Sequence, residues 1–176
     1  MIRYHPLLVA LHWIMAFMIL IALAAGGLVL ADMPNANPEK LNVLAGHMTV
    51  GMVIGGLLVV RLATQLMTTM PPKATTGSTF LDRIGNLTHW AFYILVSGMV
   101  LSGLATAFGA NMFPIVFWTS GDPLPDSFGN LPQRAAHGLI ALCLIALIAL
   151  HIATAVYHQL VLKDSILSRM WFGKRT

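Results

Sequence analysis

The stretch AAHGLIALCLIALIALHIATAVYH, residues 135–158, decides the fold. It contains no Lys, Arg, Asp or Glu, so it is too apolar for a helix at the surface of a water-soluble protein. At ~1.5 Å per residue it can cross the roughly 30 Å hydrocarbon core of a membrane. Yet it holds His137, His151 and His158, at intervals of fourteen and seven residues. Ionisable groups inside a membrane span are uncommon and indicate a functional site.

The composition of the whole chain is that of an integral membrane protein. Of 176 residues, 57% are hydrophobic and 9% are charged, whereas about a quarter of the residues are charged in a soluble domain. The mean hydropathy is +0.79. The formal net charge of +4 comes from so few charged groups that it does not indicate nucleic acid as a partner. The single cysteine permits no internal disulfide, and without a C-x-x-C-H motif no covalent haem attachment is encoded.

Charge-free runs predict four transmembrane helices in a single membrane domain, residues 1–176. The helices are predicted at roughly 7–31, 41–61, 86–108 and 133–162. Because a helix satisfies its own backbone hydrogen bonds in lipid, we expect an all-α, integral membrane four-helix bundle. Residues 111–130 carry Phe113, Phe117 and Trp118 among prolines and aspartates, which is typical of an outer loop at the membrane interface.

The lysines and arginines orient this bundle. With both termini in the cytoplasm, Lys40 and Arg134 lie on the outer side and eight cations lie inside. The eight are Arg3, Arg61, Lys73, Arg83, Lys163, Arg169, Lys174 and Arg175. By the positive-inside rule, this excess predicts a cytoplasmic N-terminus and a cytoplasmic C-terminus.

The histidines sort by depth into two groups. On the fourth helix, His137 and His151 are ~21 Å apart along the axis but differ by only about 40° in azimuth, so both face the same side. The second and fourth helices start on the outer side, and the first and third start on the inner side. The outer group is therefore His47 and His137, and the inner group is His5, His12, His89, His151 and His158.

Facing imidazoles at two depths suit haem b. A bis-histidine site closes both axial positions of the iron and favours electron transfer over oxygen binding. In a helix bundle the macrocycle takes one imidazole from each of two facing helices. The outer pair would be His47 with His137. The inner pair would be His151 with His12 or with His89, and His12 is preferred because it lies farther from its nearest inner-side cation.

Other interpretations of the histidines stay open from the residues alone. A lone histidine in a membrane helix is often a hydrogen-bonded packing residue. Zinc normally takes four protein ligands, or three and a water, and the outer pair supplies only two. The inner group has enough imidazoles to hold another metal, as in a membrane protein without haem that transports metal ions.

The two outer cations flank the outer histidine pair. Arg134 lies one helical turn before His137, and Lys40 lies two turns before His47. Both could dock a small anion by electrostatic attraction, or pair with haem propionates. The outer segments also carry four acidic residues, so their net charge is negative, which is unfavourable for attracting an anion.

Several short motifs resemble the bacterial cytochrome b561 family. They are L-H-W-I at 11–14, G-H-M-T-V-G at 46–51 running on to V-V-R at 59–61, A-A-H-G at 135–138, and H-x6-H-x4-K-D from His151 to Asp164. The resemblance covers about residues 3–172. It implies a di-haem b protein of the bacterial inner membrane, with His12 and His151 ligating the inner haem iron and His47 and His137 the outer one.

The family includes superoxide oxidases, which pass electrons from periplasmic superoxide through the haems to ubiquinone. The resemblance therefore implies an oxidoreductase that converts superoxide to dioxygen, with ubiquinone as electron acceptor. In that scheme His89, His158, Trp13 and Lys163 are candidates for the quinone pocket. The alternative within redox chemistry is a cytochrome b subunit that links a periplasmic dehydrogenase or hydrogenase partner to the quinone pool.

Overall fold

The computed structural model describes residues 3–69, 71, 79–118, 120–163 and 166–171, apart from the side chains of residues 80, 81 and 166. All regular structure in these residues is helical. Four of the helices are long and apolar enough to cross a membrane, which confirms the predicted all-α membrane bundle. Lys73, Asp164, Lys174 and Arg175 lie outside the described residues. The cytoplasmic location of the termini and the single domain stay predictions.

The described chain runs through six α-helices and two π-helical segments. The α-helices are α1 (Pro6–Ala24), α2 (Lys40–Met67), α3 (Thr79–Gly109), α4 (Met112–Phe117), α5 (Pro132–Tyr157) and α6 (Ile166–Arg169). The π-helical segments Ala25–Leu30 and His158–Leu162 extend α1 and α5. The candidate membrane spans are therefore Pro6–Leu30, Lys40–Met67, Asp82–Gly109 and Pro132–Leu162.

Local residues explain how the first span begins and ends. Pro6 opens α1, where its fixed φ and missing N–H suit the first turn. His5 caps the same turn, since its Nδ1 accepts a hydrogen bond from the Leu7 N–H at 3.3 Å. At the other end the Ala31 N–H donates to the carbonyl of Gly26 at 3.1 Å, five residues back, which is the π-helical spacing. Such π turns are frequent at functional sites.

The second span is longer than the sequence predicted. Arg61 suggested a membrane surface and hence a helix end at 61, but α2 continues to Met67. The Arg61 side chain explains the continuation, because its Nη1 donates to the carbonyl of Leu8 in α1 at 2.9 Å. The charge is thus turned toward the protein instead of the lipid. The third helix also begins earlier than the predicted residue 86, at Thr79.

The four long helices pack unevenly. α3 packs most closely on α5 and α1 on α2, and α2 also contacts α3, whereas α1 and α5 barely touch. A core cluster in the middle of the bundle takes residues from all four long helices. Its buried members are Met15, Ile54, Leu58, Val96 and Leu144. Leu144 is midway between His137 and His151 in the sequence, so this core separates the two histidine depths.

The surfaces of the long helices are apolar and exposed, as lipid contact requires. Phe17, Leu66 and Leu139 are examples of large exposed side chains. Between the third and fourth spans, α4 packs on α2 and α3 with Met112 buried, while Trp118 just after it is 71% exposed. This two-sided segment fits a helix at a membrane interface.

Candidate functional site

The outer layer consists of His47 on α2 and His137 on α5. Their ring centroids are 6.2 Å apart, and the ring planes make an angle of 78°. A cavity adjoins both rings, and its other lining residues come from α1, α2, α3 and α5 and are all apolar. Two nearly perpendicular imidazoles therefore face each other in an apolar environment between the helices.

Ser102 on α3 orients the His137 ring. Its Oγ lies 3.0 Å from His137 Nδ1 and 2.6 Å from the carbonyl oxygen of Gly98. A hydroxyl has one hydrogen, and the Gly98 carbonyl can only accept, so Ser102 accepts from the Nδ1–H of His137. This network assigns the proton to Nδ1 and leaves Nε2 with a free lone pair. A ligating histidine typically has this arrangement, with the distal N–H held by a neighbouring acceptor.

Each outer imidazole lies against a glycine on an adjacent helix. A β-carbon at Gly26 would lie 3.3 Å from His47 Cε1, and one at Gly103 would lie 3.2 Å from His137 Cε1. Both distances are tighter than ordinary van der Waals contact, so the missing side chains let the rings approach the helix backbone. Gly27, next to Gly26, has open space where its β-carbon would be.

The His47 ring has an unsatisfied polar atom. The carbonyl of Ala22 is close enough to attract the ring, yet Nδ1 is buried without a hydrogen bond of normal geometry. Buried polar atoms are rarely left unpaired in native proteins, and an exception often marks a bound group or a functional role. At His47 the Ala22 carbonyl is thus the neighbour placed to hold the Nδ1 side of the ring, as Ser102 does for His137.

The inner layer consists of His12 on α1 and His151 on α5. Their ring centroids are 6.4 Å apart with an interplanar angle of 60°. The ring of His89 on α3 lies equally near, with its centroid 6.2 Å from that of His151 and an interplanar angle of 75°. Distance alone does not choose between the two partners. The two residues differ in side-chain exposure, because His12 is half-buried whereas His89 is exposed on the bundle surface.

Arg61 is a member of the inner layer that the sequence analysis missed. It interacts electrostatically with His12 and with His89. The sequence analysis used Arg61 only as one of the eight cations predicted to lie on the cytoplasmic side. A signal was present, however: Arg61 follows His47 by fourteen residues, the interval that separates His137 from His151. On a helix that interval returns to nearly the same face.

Trp13 lies beside the inner layer but is tied to the end of the described chain. Its indole Nε1 donates to the carbonyl of Met170 at 2.8 Å. The centroid of its ring lies 5.7 Å from that of Trp171 and 5.3 Å from that of His12, both in edge-on arrangements. Arg3 adds a second tie, because its Nη1 donates to the Trp171 carbonyl at 3.0 Å. The ring of Trp13 can therefore contact a bound group, whereas its N–H is already bonded to the Met170 carbonyl.

The other two predicted quinone-pocket residues lie farther along the chain of α5. His158 is the first residue of the second π-helical segment. It follows His151 by seven residues, a rise of ~10 Å along the helix axis. Its ring centroid lies 6.3 Å from that of Tyr157. Lys163 is exposed and ends the segment with a left-handed φ of 52°. The structure thus places Trp13 and His89 at the inner layer, and His158 and Lys163 farther along the same end of the bundle.

The two outer cations differ in their surroundings. Lys40 is only 6% exposed, and its Nζ donates to the carbonyls of Leu30 and Met33 at the end of the first span. The side chain of Arg134 makes no hydrogen bond or ion pair within the described residues. Its guanidinium acts electrostatically on both outer histidines.

The geometry and the sequence together match a known family. The family model for prokaryotic cytochrome b561 matches residues 3–173. The chain belongs to this family. It is therefore a multi-pass membrane protein of electron transfer, in a family that binds haem b.

Two relatives match the b561 chain over nearly its whole length. A probable superoxide oxidase, CybB of Yersinia pestis, is 26% identical over 175 residues, covering 98% of this chain and 98% of that protein. A cytochrome b562 of Cereibacter sphaeroides is 27% identical over 172 residues, covering 95% of this chain and 94% of the relative.

Haem b fits both layers of this b561 chain. A ligating imidazole nitrogen lies about 2 Å from its metal and the ring centroid roughly 1 Å beyond, so two axial imidazoles have centroids roughly 6 Å apart. The observed separations of 6.2 and 6.4 Å match this value. At the outer layer, the apolar lining and the two ring-contacting glycines also suit a flat apolar group.

Among the described residues there is no group of three or more His, Cys, Asp or Glu side chains placed to hold a metal ion. Paired imidazoles suit a group that brings four equatorial ligands of its own.

Proposed function

We propose that this cytochrome b561 is a di-haem b protein that carries electrons between the periplasmic side and the quinone pool, and that it acts as a superoxide oxidase. The observation that carries the proposal is the presence of two imidazole pairs of ligating geometry, one in each half of the bundle. In this proposal His47 and His137 hold the outer haem iron, and His12 and His151 hold the inner one.

Each haem b, when bound, supplies reversible one-electron transfer. The chain's own residues provide position and environment. Ser102 holds the Nδ1 proton of His137, so that Nε2 is free to ligate. Leu144, only 2% exposed, and the rest of the core cluster exclude water between the two layers. The protein thereby sets the orientation of the ligands and the dielectric around them.

At the outer layer the proposed substrate is superoxide. Its conversion to dioxygen releases one electron and requires no proton, so this end of the site needs only an anion-attracting charge. Arg134 fits that role, because its guanidinium has no partner in the described residues and acts on both outer histidines. Lys40 adds positive charge nearby, but its ammonium is held by two backbone carbonyls.

At the inner layer the proposed acceptor is ubiquinone. Its reduction to quinol takes two electrons and two protons, hence two superoxide anions per quinone. His89 is suited to this step, because it is exposed and only 6.2 Å from His151. An imidazole can both accept and donate a proton through its ring nitrogens, as quinone reduction requires. His158, Trp13 and Lys163 complete the proposed pocket at the same end of the bundle.

The whole-length similarity to the probable superoxide oxidase of Yersinia pestis supports superoxide as the donor. A partner-dependent cytochrome b subunit is the second candidate. It is favoured by the outer segment around α4, where Phe117 and Trp118 are exposed and could contact a periplasmic dehydrogenase or hydrogenase.

The test is superoxide-driven reduction of the detergent-purified protein with no partner present. We expect haem reduction that superoxide dismutase abolishes, followed by reoxidation when ubiquinone is added. In Arg134→Gln the rate at low ionic strength should fall roughly tenfold, at the lower end of known steering effects. Two haems that dithionite reduces but superoxide does not would refute the oxidase and favour the partner-dependent subunit.

A further inference from the structure

Arg61 carries a permanent positive charge inside the second membrane span. The single hydrogen bond of its side chain within the described residues goes to the Leu8 carbonyl, at 2.9 Å. A guanidinium has five N–H donors, so most of its donors remain available. The spans Pro6–Leu30, Lys40–Met67 and Pro132–Leu162 contain no Asp or Glu, and the third span has only Asp82, at its start. No acidic side chain of the described residues pairs with Arg61.

An unpaired charge in a membrane span is unfavourable unless a partner neutralises it. Partly buried cations in such positions pair with an anion of the protein or of a ligand. Since the described chain supplies none here, the anion is expected to come from a bound group.

The position of Arg61 indicates which group this is. Its electrostatic neighbours are His12 and His89, both beside His151. Its backbone contact, Leu8, precedes His12 by four residues, one helical turn nearer the inner end of α1. The guanidinium therefore lies on the inner-surface side of the imidazole pair. A charged substituent on a group held by that pair would point the same way, out of the hydrocarbon.

We propose that Arg61 binds a propionate carboxylate of the haem held by His12 and His151. The proposal rests on the proposed di-haem function and adds a residue to it. The planar guanidinium can donate two parallel hydrogen bonds to one carboxylate, which a lysine cannot reproduce. Arg61 then positions the macrocycle about its iron–imidazole axis, and its charge favours the reduced form of the iron.

The experiment is a redox titration of the purified holoprotein, in wild type, Arg61→Gln and Arg61→Lys. The inner component is identified as the one lost in His151→Ala. In Arg61→Gln we expect the reduction equilibrium of the inner component to shift about tenfold toward the oxidised form, about 59 mV for one electron. The outer component should be unchanged. Arg61→Lys keeps the charge and should shift the inner component by less than threefold.

Arg83→Gln is the matched control. Arg83 is an exposed arginine at the same end of the bundle, and it belongs to neither histidine layer. It should leave both components unchanged. Loss of the inner haem alone in Arg61→Gln, with both haems kept in Arg61→Lys, would also support the proposal.

Two haems in Arg61→Gln with an inner reduction equilibrium within twofold of wild type would overturn the proposal. So would failure of both Arg61 variants to fold, which would assign the side chain to packing against α1. Haem content is measured first in wild type. A wild-type protein with no inner haem would refute the proposed function itself, before any Arg61 variant is considered.

Discussion

Ser102 Oγ and His137 Nδ1, 3.0 Å apart, join α3 to α5 at the outer layer. The serine donates to a backbone carbonyl of its own helix and accepts from the imidazole, so it holds one ring nitrogen protonated and the other free. A back-bonded serine in a membrane helix is common. Here the same side chain also sets the orientation of a candidate iron ligand.

Removing this hydroxyl should weaken the outer site without unfolding the bundle. In Ser102→Ala we expect outer haem affinity to fall about 10–100-fold, the usual effect of losing such a supporting hydrogen bond. The outer reduction potential should rise, since a less basic imidazole stabilises ferric iron less. Haem retention and redox titration measure both effects. Thr106→Ala is the control, because Thr106 makes the same kind of backbone bond without touching an imidazole; an equal loss there would contradict the assignment.

The choice of inner ligand makes a second prediction. His12 and His89 lie at similar distances from His151, but only His89 is exposed. His12→Ala should lose the inner haem, whereas His89→Ala should keep both haems and slow electron transfer to ubiquinone. Haem stoichiometry and stopped-flow reoxidation measure the two effects. The opposite pattern, with the haem lost in His89→Ala and kept in His12→Ala, would exchange the roles of the two residues.

The glycines beside the outer imidazoles give a third prediction. A methyl group at Gly26 or Gly103 would meet the Cε1 atom of His47 or His137. Each alanine variant should therefore turn one imidazole ring and change the low-spin ferric EPR signal of the outer haem. Gly27→Ala, in the same π-helical segment with open space around it, is the control. Unchanged spectra in Gly26→Ala and Gly103→Ala would show that the rings do not depend on these contacts.

Lys40 is expected to act on stability more than on substrate docking. Its ammonium donates to the carbonyl of Leu30, the last residue of the first span, and to that of Met33 in the turn that follows. Cations at helix C-termini are stabilising, and a hydrogen bond to a charged group contributes about 1.5–3 kcal/mol. Lys40→Met should therefore lower the Tm in detergent, while the superoxide-driven rate falls less than in Arg134→Gln. A Tm equal to that of wild type would restore Lys40 as a docking residue.

Much of this fold was predictable, because length and lack of charge determine a membrane span almost by themselves. The errors in the helix bounds have a physical origin. Arg61 suggested a surface, but a guanidinium can remain inside a span when a backbone carbonyl such as that of Leu8 accepts its hydrogen bond. The π-helical segments were also missed, since no composition rule separates a π turn from an α turn.

The candidate site was predictable to the level of depth and helix face. The fourteen-residue interval between His137 and His151 predicted histidines at two depths on one face of the helix. It did not show which of His12 and His89 is the less exposed, because that depends on how α1 and α3 pack. Ser102 and Gly103 could not be selected either, since serine and glycine are common in membrane helices for packing alone. Their roles require the position of the neighbouring ring.

Haem stoichiometry tests the central claim most directly. We would measure b-type haem per chain, by reduced-minus-oxidised spectra, in wild type, His47→Ala and His151→Ala. Two haems in wild type and one in each variant, with different absorbance components lost, is the result that two independent layers predict. A single haem in wild type, or loss of the same component in both variants, would contradict the two-layer arrangement.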